Sequence, residues 1–295
     1  MYYEHGLTHQ EIANALGLSR VRVTRLLADA RASGIVEITV HGSDSLFADE
    51  ERDLVAQYNL KQAWIAPNVP NEAKATKAFA TVGAEGLCQL IEKDSVVGLC
   101  LSTAVALVAS QFPSLQLGAT FVPVAGGSSG LANRASPNEL ASLFAERTHG
   151  RAFHLPAPLL AASAESARLA RSDPGVSETL SLAAKADLLI CGIGGIEPGQ
   201  GILLSSFSNN DRQALVDRKA VGDLAGRFFD RDGQLVDGPL NDRVVGLSLD
   251  SLRAIPTRVA IARGEKRVPA LRAALTSGLS NILITDIDTA RTLLA

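Results

Sequence analysis

From residue 61 onward, short apolar runs alternate with stretches of helical spacing, and this alternation restricts the fold more than any single motif. The runs fall at 63–66, 96–101, 120–124, 152–155, 188–193, 258–262 and 282–285. Helical patterns occupy 72–92, 103–112, 138–148, 176–185, 209–217, 266–277 and 287–294. A strand that is apolar at nearly every position must be covered on both faces, and an intervening helix supplies the cover. The expected class is therefore α/β, a mostly parallel sheet between helices over 61–295. Sheets of this kind bind ligands at the carboxyl ends of their strands, so the turns there are where chemistry is expected.

Three of those turns are distinctive. The run 96–101 leads into Ser102 and Thr103 at a helix start, where free N–H groups and hydroxyls suit an anion. The run 120–124 leads into Ala125-Gly126-Gly127-Ser128-Ser129-Gly130, and 188–193 runs through Gly192 and Ile193 to Gly194-Gly195. Glycine lets backbone approach a ligand, but it also simply makes turns, and on glycines alone the turn reading is the stronger. A dinucleotide fingerprint is excluded, because Gly192 and Gly194 would need a third glycine where Glu197 stands. No Gly-Lys-Ser/Thr follows either run, which excludes a P-loop.

The first 42 residues have a different character. Thr8-His9-Gln10-Glu11 is a capping box ahead of a short helix through Leu16, with Ile12, Ala13 and Leu16 on one face. Gly17-Leu18 breaks that helix and Ser19 caps a second one, reaching about Ser33. Val23, Leu26, Leu27 and Ala30 form its apolar stripe. Two helices joined so tightly cross steeply and need small residues at the crossing. Ala13 and Gly17 supply them, with Val23 and Leu26 as plugs, which is the helix-turn-helix pattern. Residues 19–33 hold four arginines against one acid, Asp29. Ser19, Arg20, Val21, Arg22, Thr24 and Arg25 are the expected DNA-contacting residues, since arginine forks read guanine edges or clamp phosphates. The alternating stretch 35–40 is expected to form a wing. Only residues 1–6 stand where a supporting helix normally precedes such a head, so that helix is expected to be truncated or to start upstream.

Between head and sheet, residues 43–60 read as an amphipathic linker helix, with Leu46, Phe47, Leu54, Val55 and Tyr58 on one side. Core packing and a subunit contact are equally open for it. The domains expected are thus 1–42, 43–60 and 61–295.

Composition narrows the classes. The chain has 295 residues and 46% apolar content, enough for a large domain and a small one. Its 28 basic residues against 31 acidic ones mark no global nucleic-acid or membrane binder, so any basic patch must be local. Cys88, Cys100 and Cys191 sit in apolar runs without metal-ligand spacing, which points to reduced thiols in a cytoplasmic protein and to no metal or cofactor.

Several short stretches, in this order and spacing, carry a family resemblance. They are Tyr2-Tyr3-Glu4, Gly6 to Ala13, Ser19-Arg20, Val23 to Leu27, Gly126-Gly127, Pro137-Asn138-Glu139-Leu140 and Gly192-Ile193-Gly194. Ala220-Val221-Gly222-Asp223, Phe228-Phe229-Asp230, Gly264-x-Lys266 and Thr285-Asp286 follow. Across nearly the whole chain they resemble the SorC-type sugar-binding transcriptional regulators. That resemblance implies an effector domain like sugar-phosphate isomerases and deaminases, a homotetramer or dimer on double-stranded operator DNA, and control by a phosphorylated sugar or polyol. It implies ligand-binding roles for Ser102, Thr103, Gly126, Gly127, Asn138, Gly192, Gly194, Asp223 and Lys266. Lys266 would be the phosphate counter-charge and Asp223 the acceptor of sugar hydroxyls. The family's Gly-x-Thr turn reads Ser102-Thr103-Ala104 here, a departure that points to an unusual effector.

The competing reading is a sugar-phosphate isomerase or deaminase, with Asp223 or Glu139 as base and Lys266 as electrophile. An arginine-faced helix-turn-helix has no use in such an enzyme, so the regulator is the expected function and no catalytic residue is assigned.

Overall fold

The computed structural model describes residues 1–2, 7–32, 45–127, 136–197, 203 and 207–295, without the side chains of 31 and 32. The chain divides into two compact units, Met1–Asp44 and Ser45–Ala295.

In the first unit, helix α1 (His9–Leu16) opens with the expected capping box. The Thr8 hydroxyl accepts the Glu11 N–H at 3.3 Å, and the Glu11 carboxylate accepts the Thr8 N–H at 2.7 Å. It ends at Gly17, whose φ of 63° is the left-handed conformation glycine tolerates best. Helix α2 (Arg20–Ala32) is capped by Ser19, whose Oγ accepts the Arg22 N–H at 3.2 Å. Ile12, Ala13 and Val23 are buried at the crossing, and Leu7, Leu18 and Leu27 pack around them. Leu26 departs from expectation: it is 51% exposed. Val23 and Leu27 define the inward face of α2, and Leu26 falls on its flank, beyond the reach of the eight-residue α1. The wing expected at 35–40 lies outside the described residues.

In the second unit, α3 (Ala48–Tyr58) precedes β1 (Gln62–Ala66) and α4 (Glu72–Leu90). Next come β2 (Val96–Leu99), α5 (Thr103–Gln111), β3 (Thr120–Pro123), α6 (Pro137–Thr148) and β4 (Arg151–Ala152). Helices α7 (Ala164–Ser172) and α8 (Pro174–Ala183) lead to β5 (Leu188–Cys191), β6 (Gly194–Gly195), α9 (Asn209–Asp217), β7 (Ala220–Leu224) and β8 (Arg227–Asp230). The chain closes with α10 (Pro239–Asp242), α11 (Leu249–Ala254), β9 (Thr257–Ile261), α12 (Val268–Thr276), β10 (Ile282–Asp286) and α13 (Ile287–Leu294).

Seven strands form one parallel sheet in the order β1-β10-β9-β5-β2-β3-β4. Its inner strands are buried at nearly every position, as the unbroken apolar runs require. Val97, Leu99, Ile190 and Ile284 face one apolar cluster, and Val122, Leu189 and Leu283 face the other. Helix α3 belongs to this unit. Leu54 is fully buried in its core, the Tyr58 hydroxyl donates to the Leu293 carbonyl at 2.7 Å, and Glu50 pairs with Arg291 at 3.0 Å. Leu54 is therefore a core residue rather than a subunit contact, whereas Leu46 is 84% exposed.

Two features depart from the sequence reading. The strand expected at 152–155 shortens to Arg151–Ala152, because the Asn138 side chain pairs with Leu155 in place of a strand. Asn138 Oδ1 accepts the Leu155 N–H at 3.0 Å and Nδ2 donates to its carbonyl at 3.3 Å. The second is a small antiparallel sheet, β6-β7-β8, which the sequence reading did not foresee. Among the described residues no helix is long and apolar enough to cross a membrane.

Candidate functional site

The order of the main sheet creates a crevice. From β2 the chain proceeds outward through β3 and β4, and from β5 it proceeds the opposite way through β9 and β10. The turns after β2 and β5 therefore diverge, and a parallel sheet opens its ligand site at such a switch point. A cleft of about 230 Å³ lies there. Ser102, Thr103 and Ala104 line it after β2, Gly192, Ile193 and Gly194 after β5, and Ala262 and Arg263 after β9, with Arg267 beyond them. Asp223, Ala225 and Gly226 of the small sheet complete the polar side, and Phe79, Leu101, Leu107 and Leu159 form apolar wall.

Ser102 caps α5, its Oγ accepting the Val105 N–H at 3.2 Å, and is almost fully buried. The amides of Thr103 and Ala104 have no partner among the described residues, and Thr103 is exposed at the first helical position. Anions are stabilised at such a helix start. Gly192 is required by this packing: a β-carbon there would collide with the Ser102 hydroxyl. Gly194 is required in the same way, since its β-carbon would collide with the Asp223 carboxylate.

Asp223 stands opposite Gly194 in the β6–β7 pair. It is 8% exposed, and Oδ2 accepts the Gly226 N–H at 3.1 Å. Burial pushes its carboxyl up to about 6, with the Gly226 hydrogen bond opposing. Ala225 and Gly226 form the two-residue β7–β8 turn with φ of 53° and 79°. Positive φ at both positions matches the twist of a hairpin, but it strains the alanine by roughly 1–2 kcal/mol. Arg227 anchors the hairpin, Nε donating to the Leu247 carbonyl and Nη1 to that of Asn241, both at 2.8 Å.

The positive charge comes from two arginines that the sequence reading missed. Arg263 Nη2 donates to Glu72 Oε1 at 2.8 Å and Thr76 Oγ1 at 2.6 Å, and its guanidinium lies 5.4 Å from the Phe79 ring centroid. Arg267 Nη1 donates to the Arg263 carbonyl at 2.9 Å. Burial, with the charge of Arg263 adding, lowers the Arg267 pKa. Lys266 is exposed and lines no part of the cleft. Gly264, at φ 103°, turns the chain into a single 3₁₀ turn, Glu265–Arg267, which leaves Glu265 and Lys266 outside and Arg267 inside. The missed signal was position: Arg263 stands right after the apolar run of β9, as Ser102 and Gly192 do for theirs.

The other sequence candidates lie away from the cleft. A β-carbon on Gly126 would meet Ala157 and Pro158 backbone at 2.5 Å, so that glycine serves packing, and the Gly127 N–H donates to the Ala157 carbonyl at 3.1 Å. Asn138 is the strand substitute described above. In the first unit Ser19, Arg20, Val21, Arg22, Thr24 and Arg25 are all exposed on α2. The Thr24 hydroxyl is already engaged, donating to the Arg20 carbonyl and contacting His9 Nδ1, both at 3.0 Å.

A capped helix-turn-helix and a sheet with a small-ligand cleft together define a ligand-responsive transcriptional regulator. Residues 45–295 match the family described as "Putative sugar-binding domain", and residues 6–36 match "Bacterial regulatory proteins, crp family". The chain is 32% identical to the transcriptional regulator LsrR of Escherichia coli, over 99% of this chain and 92% of that protein. It is 28% identical to the deoxyribonucleoside regulator of Bacillus subtilis, over 99% and 94%. The crystal structure of the full-length sorbitol operon regulator SorC from Klebsiella pneumoniae aligns with a TM-score of 0.79 at 27% identity, covering 100% of this chain and 96% of that one. The chain belongs to the SorC-type family of sugar-binding transcriptional regulators.

Proposed function

We propose that this protein controls a carbohydrate-utilisation operon by binding operator DNA through α2 and an anionic sugar or polyol, phosphorylated, in the cleft at the β2/β5 switch point. The observation that carries the reading is the charge arrangement of that cleft. A dianion entering a cleft loses hydration, and donors and positive charge must replace it. The Thr103 and Ala104 amides, the positive end of the α5 dipole, Arg263 and Arg267 offer that replacement on one side. Asp223 faces the same space and accepts hydrogen bonds from hydroxyls. LsrR, the deoxyribonucleoside regulator and SorC are regulators by name, which supports a sensing rather than a catalytic role for the cleft. Arg20, Arg22 and Arg25 are the DNA readers, Ser19 sets the start of their helix, and Val21 offers an apolar contact to a thymine methyl. A helix-turn-helix reads paired half-sites, so the working form is a homodimer or homotetramer in the cytoplasm.

Calorimetry tests the cleft. A panel of sugar and polyol phosphates and their dephosphorylated forms is titrated into the parent and Arg267→Ala. The best phosphate should bind the parent and lose most of its affinity in the variant, while the dephosphorylated form stays weak in both. Equal binding of both forms to both proteins removes the proposal, as does turnover of the bound ligand.

A further inference from the structure

We infer that Thr24 is a positioning residue rather than a base reader, and that it works through His9, which holds α2 at a fixed rotation against α1. The inference rests on the reading of α2 as the DNA-contacting helix. A threonine hydroxyl has one hydrogen and two lone pairs. The Thr24 hydrogen is spent on the Arg20 carbonyl four residues back, at 3.0 Å. The 3.0 Å contact with His9 must then run the other way, with His9 Nδ1–H donating to Thr24 Oγ1. This fixes the imidazole with its proton on Nδ1 and leaves the hydroxyl no hydrogen to offer a base edge.

The bridge joins the first turn of α1 to the second turn of α2. The half-buried His9 and the exposed Thr24 lie on opposite helices, 15 positions apart. The apolar contact between these helices is small, with Ile12, Ala13 and Val23 as its buried members. A rotation of α2 about its axis is therefore weakly opposed by packing, and it would swing Arg20 and Arg25 together. The Tyr2 ring packs tilted against the imidazole, with ring centroids 4.9 Å apart. A bridge that sets rotation affects all arginine contacts equally, whereas a base reader affects one base pair.

The test uses duplexes selected from a randomised pool by the parent protein, and the same duplexes substituted one base pair at a time, read by fluorescence anisotropy. Thr24→Val removes the hydroxyl and keeps the β-branched shape. It should weaken binding about three- to tenfold, the range a lost hydrogen bond gives, by the same factor on every duplex. Thr24→Ser should restore parent affinity to within about twofold. His9→Phe should match Thr24→Val, and the double variant should bind no more weakly than either single one. A change of preference at one base pair in Thr24→Val, an unaffected His9→Phe, or losses that multiply in the double variant overturns the inference. A parent that selects no duplex removes the reading of α2 itself. In that case, or if Thr24→Val fails to fold, ring ¹⁵N spectra of the parent decide the bridge: neutral His9 protonated on Nδ1 supports it, and protonation on Nε2 overturns it.

Discussion

Asp223→Asn should stabilise the protein at neutral pH and cost it its effector. The carboxyl is pushed up to about 6 in the folded chain against an ordinary 3.8. Folding therefore takes up a proton between those values. The stability this contributes is complete below 3.8 and lost as pH rises through about 6. The shift of about two units corresponds to about 3 kcal/mol once the folded carboxyl is ionised. Relative to a side chain that never ionises, the parent is penalised by about 2 kcal/mol at pH 5 and about 3 kcal/mol at pH 8. Asparagine keeps an oxygen for the Gly226 N–H, so the penalty disappears without orphaning that amide. For a unit of this size, about 3 kcal/mol raises the melting midpoint by roughly 6–12 °C. Differential scanning calorimetry of parent and variant at pH 5 and pH 8 measures both numbers, and subtraction cancels every other titrating group. A gain at pH 8 no larger than at pH 5 would refute the reasoning, because a merely better-packed asparagine helps equally at both. The same variant should lose effector affinity, since half of its side chain now donates where the carboxylate accepted from hydroxyls.

Four further outcomes follow from the same geometry. The double variant Arg20→Ala, Arg25→Ala should bind selected duplex DNA more weakly by at least about 1–3 kcal/mol, the worth of one bidentate base contact; gel-shift affinities equal to the parent's would sink the assignment. Gly192→Ala should displace Ser102 from the Val105 amide and destabilise the fold by the worth of a helix cap, about 1 kcal/mol, seen as a lower melting midpoint, while weakening effector binding; an unchanged midpoint would mean Ser102 adjusts freely. Multi-angle light scattering at micromolar concentration should return a dimer or tetramer, and a monomer with full DNA affinity would contradict the paired half-site reading. A ligand carrying both a phosphate and free hydroxyls should raise the melting midpoint more than inorganic phosphate and the bare polyol added together; simple additivity would mean the two sides of the cleft act apart.

The parallel sheet was legible because its signal is local and strong: β5 is apolar at every residue and β10 at its first three, and such short runs alternating with helical patterns read as doubly covered strands. The head was legible for the same reason, since Thr8, Glu11, Gly17 and Ser19 act within three or four residues of themselves. The small sheet was not. Its strand β6 is two glycines, and β7 pairs with it through Gly194↔Asp223 and Gly195↔Gly222, partners 29 and 27 residues apart in the chain with no local pattern. Within the cleft, strand ends pointed at Ser102, Thr103, Gly192 and Gly194, whereas Asp223 came only from the family resemblance. It placed the counter-charge on Lys266, because helical spacing from 266 onward hides the single 3₁₀ turn that faces Arg267 inward instead. Gly126 fits against the backbone at 157–158 and Asn138 holds Leu155, packing contacts that look the same as binding contacts when only residue types are visible.

Some of the second unit's unfavourable features meet at one place. The desolvated carboxyl of Asp223, the desolvated guanidinium of Arg267 beside a like charge, and the positive φ of Ala225 all border the cleft. The central strands beneath it are apolar and regular. Residues held at such a cost persist when the surrounding scaffold fixes them, and their clustering marks a site built for something other than stability. A ligand with hydroxyls toward Asp223 and an anion toward Arg267 would contact both at once. The folded form with ligand is then favoured by more than either contact gives alone. The division of labour follows from the topology. The parallel sheet supplies the fixed helix start at Ser102, while the hairpin β7–β8 and the 3₁₀ turn supply the charges.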